Sequence, residues 1–524
     1  MLRLPSVSLL VVGLVGISQA WNATAEAAEE DTRPNILFIY TDDHSHRTVS
    51  CYPEAFDWVA TPNIDRLAKR GVRFTHSYIG TWCMPSRATM LTGHHSYGVE
   101  SMRMVGDYPG SEYDAKQCPF WPSVFRKQGY STAQVGKWHT GTDTGAGRDW
   151  DYQRVWNRPR YQKNSGAYYY GQLIETDGGK PELVKGYTTD NYTNWAEDFI
   201  RGEHRDAEKP WYLWVCYGAV HGPFTPANRH RDTYSDLTVP TPKDIFPPRP
   251  GKPDYMQKIE FWIKGDKGEP VMKGGAFGGR TVEGIKGIHG NTLTDWVRQY
   301  HQGVLAIDEG VGRLMATLEE TEQLDNTLVV FTSDQGFGWG QHGFCTKLAP
   351  YDATIRSPMI VSMPSKIATD AVCKSPVGGV DLVPTFFSFA GLDLPWEMHG
   401  HDLTPLLKDP TSKRDEPVLV TLTGRKYGSD TNVIPTNEED LYLNGVPWWI
   451  FLVNGRHKYI RTLVEGQVEE LYDLQADPEE LNNLALKPGY AKRLAELRAA
   501  TISELKRTRA GMVENLPAVR DIER

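Results

Sequence analysis

Four apolar runs in this sequence end in short clusters of polar residues, and this pattern constrains the fold more than any other feature. Near-continuous apolar strands are expected where helices cover both faces of a sheet. Open α/β sheets bind ligands beyond the carboxyl ends of their strands, so these clusters are predicted to meet at one site. The four runs, each given with the polar residues that come after it, are 35–41 with Asp42 and Asp43, 132–136 with Lys137 and His139, 211–217 with His221, and 327–333 with Asp334 and Gln335.

Helical patterns lie between the apolar runs. Apolar residues recur at helical spacing over 294–323, which predicts a long amphipathic helix, and 62–71 predicts a shorter one. Strands that alternate with helices indicate an α/β fold, with a large, mixed, mostly parallel sheet sandwiched by helices. We place this main domain at residues 32–395, with an insertion rich in Pro, Gly and Lys at about 240–290.

The pattern changes near Pro395. The segments 417–422 and 448–453 are short runs typical of antiparallel strands, and 490–507 has the pattern of a helix. Residues 396–524 are therefore predicted to form a smaller C-terminal α+β domain that carries an antiparallel sheet.

The N-terminus has the pattern of a secretory signal peptide. Arg3 precedes an apolar core at 9–17, and small residues lead to a cleavage site near Ala20. The apolar core is shorter than the roughly 20 residues that span a bilayer, so we expect residues 1–20 to be removed rather than to anchor the chain. Residues 21–31 then form a flexible leader, and the mature protein is secreted or periplasmic. No later stretch of the sequence predicts a membrane span.

The most specific segment is 83–93, which reads Cys-Met-Pro-Ser-Arg-Ala-Thr-Met-Leu-Thr-Gly. A Cys-x-Pro-x-Arg pattern with this continuation is rare by chance, and it resembles the signature of type I sulfatases of the alkaline phosphatase-like superfamily. The resemblance extends from Asn35 to about Leu484 and includes the stretch 470–478. It implies a sulfuric ester hydrolase in which a maturation enzyme oxidises Cys83 to formylglycine.

The chemistry of sulfate transfer gives a reason for this modification. A serine that attacked a sulfate ester would retain the sulfate as a stable ester. A hydrated aldehyde has two hydroxyls on one carbon, so one oxygen attacks sulfur and the other later expels sulfate as the carbonyl re-forms. The reaction is thereby divided into two easier covalent steps. The alternative for Cys83 is an ordinary buried thiol.

Two of the polar clusters contain only oxygen ligands. Carboxylate and amide oxygens suit a hard cation such as calcium, and the lack of soft ligands in the clusters disfavours zinc or copper. Turn capping is the alternative role for an Asp-Asp pair after a strand. The residues that the resemblance assigns to a calcium ion are Asp42, Asp43, Asp334, Gln335 and, through an oxygen of its modified side chain, Cys83. Gln335 departs from the Asn or His that is commoner in the family, and its longer side chain affects where the ion lies.

Five further residues supply the catalytic groups that the resemblance implies, namely Arg87, Lys137, His139, His221 and Lys347. Arg87 lies one helical turn after the modified cysteine and faces the same way, so it orients the aldehyde hydrate. Lys137, His221 and Lys347 bind the substrate sulfate. Either His221 or Lys347 protonates the departing alcohol, and His139 takes a proton during elimination.

The balance of charge supports an anionic substrate. The whole chain has a formal net charge of −9, which argues against a nucleic-acid partner. The predicted pocket, in contrast, is net positive when a calcium ion and three cationic side chains are set against three aspartates. An isolated pocket of that sign is costly unless an anion fills it.

Aromatic and basic residues that come after the second polar cluster point to a sulfated carbohydrate. Within 148–170, Trp156 and Arg160 are predicted to bind the substrate, because rings pack against sugar faces and Arg meets further sulfates or carboxylates. The insertion at 240–290 has a similar composition. Simple packing of these aromatic residues onto the domain is the alternative.

Two other functions remain open from the sequence. One is a phosphodiester or phosphonate monoester hydrolase of the same superfamily, which has similar motifs and can also use formylglycine. The other is a catalytically inactive, carbohydrate-binding relative. Such a relative would have lost motif residues, whereas all the core positions are filled here.

Overall fold

The computed structural model describes residues 33–103, 112–274 and 290–520, together with residues 1 and 2. The predicted signal peptide and leader therefore lie outside the described residues, apart from the first two positions. The described residues from Arg33 onward form one compact unit, and the domain boundary near residue 395 stays a prediction. Along the described part of the chain, no helix combines the length and the apolar character that a bilayer crossing requires.

A ten-stranded sheet lies at the centre of the protein. Its strands, in chain order, are β1 (Asn35–Thr41), β2 (Gly71–Phe74), β3 (Ser131–Trp138), β4 (Tyr152–Asn157), β5 (Gln172–Thr176), β6 (Glu182–Val184), β7 (Trp211–Cys216), β8 (Thr327–Ser333), β9 (Met359–Ser362) and β10 (Ala371–Cys373). Their order across the sheet is β10-β2-β9-β8-β1-β7-β3-β4-β5-β6. The central strands β8, β1, β7, β3 and β4 are parallel, whereas β9 and β5 run antiparallel to their neighbours. The predicted large, mixed, mostly parallel sheet is confirmed.

Residues of β1 alternate between the two faces of this sheet, and both faces are covered. Leu37 and Ile39 pack into one apolar core, and Ile36 and Phe38 pack into a second core on the opposite face. All seven residues of the strand are buried. This explains why the sequence reads as a continuous apolar run rather than as an alternating one.

Ten α-helices are present in the described part of the chain. They are α1 (Pro62–Lys69), α2 (Cys83–Thr92), α3 (Pro122–Lys127), α4 (Thr188–Ile200), α5 (Leu293–Glu320), α6 (Asp352–Ile355), α7 (Leu382–Ala390), α8 (Thr404–Lys408), α9 (Glu438–Leu441) and α10 (Ala491–Arg507). Helices α1, α4 and α5 contribute to the first core, and α3 and α7 contribute to the second. Helix α5 is the long helix predicted at 294–323. It begins with a capping box in which Thr292 and Asp295 satisfy each other's backbone N–H groups.

A second, four-stranded antiparallel sheet lies in the C-terminal region, as predicted. Its strands, in sheet order, are β11 (Val418–Leu422), β12 (Trp449–Asn454), β13 (His457–Thr462) and β14 (Glu470–Asp473). One face of the sheet packs with α10, and the other shares a core with the start of α2. The indole N–H of Trp449 donates to the Leu348 carbonyl at 2.8 Å, which ties this sheet to a loop that lies after β8 in the chain.

The predicted insertion at 240–290 has little regular structure in its described part. It contains a ribbon of Trp262–Lys264 with Pro270–Met272. Trp262 is buried, and its indole N–H donates to the Phe344 carbonyl at 3.0 Å, so this aromatic residue packs the segment onto the domain. The remaining two-stranded pairs in the described residues are Ser77–Tyr78 with Val377–Gly378, Met102–Arg103 with Glu112–Tyr113, and Tyr442–Leu443 with Val446–Pro447.

Candidate active site

The polar clusters that the sequence predicted to meet at one edge of the sheet lie together there. They lie at or shortly beyond the carboxyl ends of β8, β1, β7 and β3, which are parallel and adjacent. Residues distant in the sequence are therefore direct neighbours. Asp43 and Lys347, for example, are 304 positions apart, and their side chains form an ion pair of 2.6 Å.

Cys83 is the first residue of α2, and every residue of this helix is buried. Ser86 donates its hydroxyl to the Trp82 carbonyl at 2.7 Å, which fixes the entry into the helix. A Cβ atom at Gly80 would lie 1.9 Å from Ser86 Oγ, so the close approach at this point requires glycine. The N-terminus of the helix carries a partial positive charge and favours an anion beside residue 83.

Asp42, Asp43 and Asp334 form a buried acidic cluster. One carboxylate oxygen from each lies within 4.8 Å of the others. The backbone N–H of Asp43 donates to Asp334 Oδ1 at 2.9 Å, and Gln335 Nε2 donates to Asp43 Oδ1. Tyr300, on α5, donates its hydroxyl to the Asp43 carbonyl oxygen. Backbone and helix contacts thus hold the cluster in place.

Three carboxylates in one buried cluster repel one another. Burial opposes the ionisation of Asp42, but Lys137 and other cations outweigh it and hold the pKa of Asp42 well below its usual value. Burial raises the pKa of Asp43, even though Lys347 acts against it. Burial and then the charge of Asp42 raise the pKa of Asp334 to about 7. The cationic side chains of the protein therefore do not fully offset the cost of burying Asp43 and Asp334 in their ionised forms.

The acidic cluster fits a hard divalent cation. Its ligands are carboxylate oxygens, and the buried Oε1 atom of Gln335 has no hydrogen-bond partner in the described part of the chain. A cation would satisfy this acceptor and relieve the repulsion between the carboxylates. The predicted metal ligands that the structure brings together are Asp42, Asp43, Asp334 and Gln335, with Cys83 beside Asp42.

The thiol of Cys83 lies between charges of opposite sign. Its Sγ atom is 3.3 Å from Asp42 Oδ1 and 3.1 Å from Lys347 Nζ. Burial, followed by the charge of Asp42, raises the pKa of the Cys83 thiol to about 11. The thiol is therefore protonated near neutral pH and is a poor nucleophile in this form.

Arg87 and Lys137 are the buried cations of the site. Arg87 Nη2 lies 3.3 Å from Asp334 Oδ2 and 3.6 Å from Asp42 Oδ2. Lys137 Nζ contacts the second oxygen of Asp42. Both side chains thus direct their charge at the acidic cluster in this structure.

His139 lies beside a guanidinium. Arg158 Nη1 is 3.1 Å from both ring nitrogens of His139. Burial and then the charge of Arg158 hold the pKa of His139 well below its usual value. The imidazole is therefore neutral, which suits a group that accepts a proton.

His221 has a defined orientation. Its ring stacks on Tyr168, with centroids 4.0 Å apart and an interplanar angle of 7°. Nδ1 lies 2.7 Å from the Gly222 carbonyl oxygen, so Nδ1 carries the proton of the neutral ring. Nε2 is left facing Asp43 Oδ2 at 3.7 Å. Burial and then the charge of Lys347 hold the pKa of His221 low.

A cavity of about 420 Å³ opens beside these groups. Its polar lining includes Asp43, His221 and Lys347, and most of its walls are apolar. The apolar lining residues are Trp82, Phe224, Trp296, Phe337, Leu348 and Leu443. This size and lining are typical of a small-molecule site.

Two residues that the sequence assigned to substrate binding do not line this cavity. Trp156 is fully buried in β4, and its indole N–H donates to Asn164 Oδ1 at 3.1 Å. Arg160 pairs with the buried Glu175 at 2.9 Å. The expectation for Trp156 is corrected, because a ring with no exposed surface cannot contact a saccharide. Trp156 instead packs within the domain, which was the alternative for these aromatic residues.

Arg158 and Tyr168 belong to the site, although the sequence identified them only as members of the aromatic and basic segment 148–170. The Arg158 guanidinium lies 4.8 Å from the centroid of the Tyr168 ring, and Lys137 Nζ lies 5.3 Å from it. The Tyr168 ring therefore packs against His221 and two cations. In the sequence, only the aromatic and basic composition of 148–170 pointed to these residues. Their position in the site depends on the path of the chain after β4, which no local pattern predicts.

Comparison with known proteins gives a consistent family assignment. A family model described as Sulfatase matches residues 34–392. The chain is 31% identical to an N-acetylglucosamine-6-O-sulfatase of Bacteroides thetaiotaomicron over 541 residues, which cover 94% of this chain and 89% of the relative.

Solved structures share the fold. A protein solved in complex with its substrate, D-glucosamine-2-N,6-O-disulfate, is 28% identical, with a TM-score of 0.76 and coverage of 91% of this chain and 98% of that one. A phosphonate monoester hydrolase of Agrobacterium radiobacter is 21% identical, with a TM-score of 0.65 and coverage of 91% and 96%. At that identity the second likeness concerns the fold alone.

We predict that calcium raises the melting temperature of the protein and that Asp334→Asn abolishes the rise. A ligand that binds only the folded state stabilises it by about 2.7 kcal/mol at a hundredfold excess over Kd. Without calcium, Asp334→Asn should lose little stability, because the relief of repulsion offsets the loss of its ion pair with Arg87, which keeps Asp42 as a partner. Thermal unfolding over a calcium titration measures both effects.

Asp325→Asn is the matched control, because the Asp325 side chain is 87% exposed, and it should keep the full calcium response. A wild-type protein that contains no metal by elemental analysis and melts at the same temperature with and without calcium would contradict the assignment.

Proposed function

The chain belongs to the sulfatase family and is a sulfuric ester hydrolase, and on that premise we propose that it cleaves sulfate esters of carbohydrates with a nucleophile derived from Cys83. The position of Cys83 carries the proposal. It begins a buried helix at the carboxyl edge of the sheet, with its Sγ atom 3.1 Å from Lys347 Nζ. A group at this position attacks sulfur where a helix N-terminus and cations favour an anion.

The nucleophile of the proposal is formylglycine, which a maturation enzyme makes from Cys83. The raised pKa of the Cys83 thiol supports the need for conversion, because a protonated thiol is a poor nucleophile. The hydrated aldehyde would supply one oxygen for attack and a second for expulsion of sulfate. Arg87 lies one helical turn further on and, like residue 83, contacts Asp42, so it would help to orient the aldehyde hydrate.

The cofactor of the proposal is a calcium ion. Asp42, Asp43, Asp334 and Gln335 would hold it, together with an oxygen of the modified residue 83. When bound, the ion would polarise a sulfate oxygen and neutralise charge on the transferring group.

The sulfate oxygens are held by Lys347, His221 and Lys137 in this proposal. Lys347 and His221 line the cavity, so they reach a substrate directly. Lys137 is fully buried and bonded to Asp42. Lys137 would reach the substrate by exchanging its bond to Asp42 for one to a sulfate oxygen.

The proton transfers are assigned to side chains of defined protonation state. His139 is neutral and accepts a proton during elimination. Arg158 positions this imidazole and keeps it unprotonated through its charge. Lys347, or His221 once a bound sulfate anion favours a proton on Nε2, delivers a proton to the departing alcohol. Lys347 is protonated, because Asp43 outweighs burial and raises the pKa of Lys347 well above its usual value.

The substrate class of the proposal is a sulfated carbohydrate, with 6-O-sulfated glucosamine residues as the first candidates. The mostly apolar walls of the cavity support it, because apolar surface, such as the parts of Trp82 and Trp296 that border the cavity, can pack against sugar faces. The two relatives named above act on, or bind, sulfated glucosamines. Export through the predicted signal peptide at residues 1–20 suits a saccharide outside the cell.

We predict that the matured enzyme hydrolyses N-acetylglucosamine 6-sulfate and an aryl sulfate with a higher kcat/KM than an aryl phosphate diester or a phosphonate monoester. Cys83→Ala should lower kcat for the sulfate esters by at least roughly 10³-fold, because the nucleophile is lost. Cys51→Ala, which removes a thiol outside the site, should keep full activity.

The outcome also separates the alternatives. A preference for the phosphonate or the diester would identify the chain as the other type of hydrolase in its superfamily. Protein that carries the aldehyde and binds the saccharide without hydrolysing any of these esters would be an inactive relative.

We also predict that His139 and His221 act at different steps. His221→Ala should reduce activity most on sulfate esters of poor leaving groups, by about 10²–10⁴-fold, because a departing alkoxide needs a proton. His139→Ala should let the covalent sulfo-enzyme accumulate and bring kcat for good and poor leaving groups to a common low value, with kcat/KM changed little, because elimination comes after departure of the alcohol. Kinetics over a series of substituted aryl sulfates measures the difference as two slopes against leaving-group pKa. Equal slopes for the two variants would contradict this division of roles.

A further inference from the structure

Arg425 is a cationic residue of the C-terminal region that lines the same cavity as His221 and Lys347. It is exposed, and no carboxylate in the described part of the chain forms an ion pair with it. The neighbouring Lys426 differs, because its Nζ atom pairs with Asp440 at 3.1 Å. A guanidinium without an anionic partner therefore faces a cavity that is otherwise walled mostly by apolar side chains.

The backbone presents Arg425 at the tip of a braced turn. The N–H of Lys426 donates to the Thr423 carbonyl at 3.0 Å, and the Thr423 hydroxyl donates back to the Lys426 carbonyl at 2.9 Å. Gly424 has a φ of 57°, and a Cβ atom there would lie 2.8 Å from Trp448 Nε1, so glycine is required. A turn held in this way orders its backbone before a ligand binds, which lowers the entropy cost of binding.

Apolar walls beside Arg425 strengthen the effect of its charge. Leu443 and Trp82 line the cavity with it and exclude water from part of its surface. Electrostatic attraction is stronger in such surroundings than in bulk water. The planar guanidinium offers paired N–H donors that match the oxygens of a sulfate or a carboxylate. The sulfate ester that is cut has its own partners at residue 83, Lys347 and His221, so Arg425 is available to a different group of the substrate.

We infer that Arg425 binds a second oxyanion group of the saccharide, a sulfate or a carboxylate, so that the preferred substrates carry an anionic group besides the ester that is cleaved. This inference rests on the proposed function, since it assigns a specificity role within the same cavity. Arg425 is a specificity-determining residue here and takes no part in the bond that breaks.

The test compares four substrates in the matured wild-type enzyme and its variants. An aryl sulfate and N-acetylglucosamine 6-sulfate carry one anionic group. Glucosamine 2-N,6-O-disulfate adds a second sulfate, and a disaccharide of glucuronic acid and N-acetylglucosamine 6-sulfate adds a carboxylate. Initial rates of inorganic sulfate release give kcat and KM for each, and the last two substrates distinguish the two kinds of oxyanion.

Arg425→Ala should raise KM about 10- to 100-fold for at least one of the two doubly anionic substrates, with kcat changed little, because a hydrogen-bonded charge pair is lost. The two singly anionic substrates should change by less than about threefold. Arg425→Lys should fall between wild type and Arg425→Ala, because lysine keeps the charge but not the paired donors. Lys426→Ala, on the same turn, should match wild type on all four substrates.

Equal changes in KM across all four substrates in Arg425→Ala, or no change on any, would overturn the inference while the proposed function stands. The inference would also be overturned, with the proposed function intact, if the wild type cleaved the aryl sulfate but neither of the two doubly anionic saccharides. A wild-type enzyme that carries the aldehyde and releases sulfate from none of the four would instead contradict the proposed function itself.

Discussion

The repulsion between Asp42, Asp43 and Asp334 is the constraint on which the rest of the site depends. Three carboxylates in a buried cluster are tolerated only where opposite charge compensates them. Arg87 and Lys137 do so in part, from inside the protein. Burial, with the charge of Asp42 adding to it, nevertheless raises the pKa of Asp43 and of Asp334. A divalent cation bound here would stabilise the ionised carboxylates and would leave the pocket positive enough to attract a sulfate.

The scaffold supplies this arrangement without relying on loops alone. The aspartates come directly after adjacent parallel strands, so the sheet sets their spacing. Helix α2 is buried along its whole length and directs Cys83 and Arg87 to the same point. The C-terminal sheet supports the loop that carries Lys347, because the indole N–H of Trp449 donates a hydrogen bond to the carbonyl of the next residue, Leu348. Groups held in this way need little reorganisation when charge develops in a reaction.

The sequence alone predicted the strand ends and most of the site. Strands buried on both faces read as continuous apolar runs, and parallel strands bring the residues beyond their carboxyl ends to one edge of the sheet. The prediction that Trp156 binds the substrate was wrong, because an aromatic residue has the same sequence signal whether it fills a core or lines a binding cavity. The places of Arg158 and Arg425 could not be predicted, because each depends on a chain path that no local pattern encodes. Arg425 reaches the cavity only because the C-terminal sheet packs against the start of α2.

The most direct test of the account is the mass of the peptide that contains residue 83, measured together with activity. The protein is produced with and without a formylglycine-generating enzyme, and sulfate release is compared with the fraction of peptide that carries the aldehyde. The account predicts that activity rises in proportion to this fraction and is absent where only the Cys83 thiol is found. Full sulfatase activity in protein whose residue 83 is entirely unmodified cysteine would contradict it.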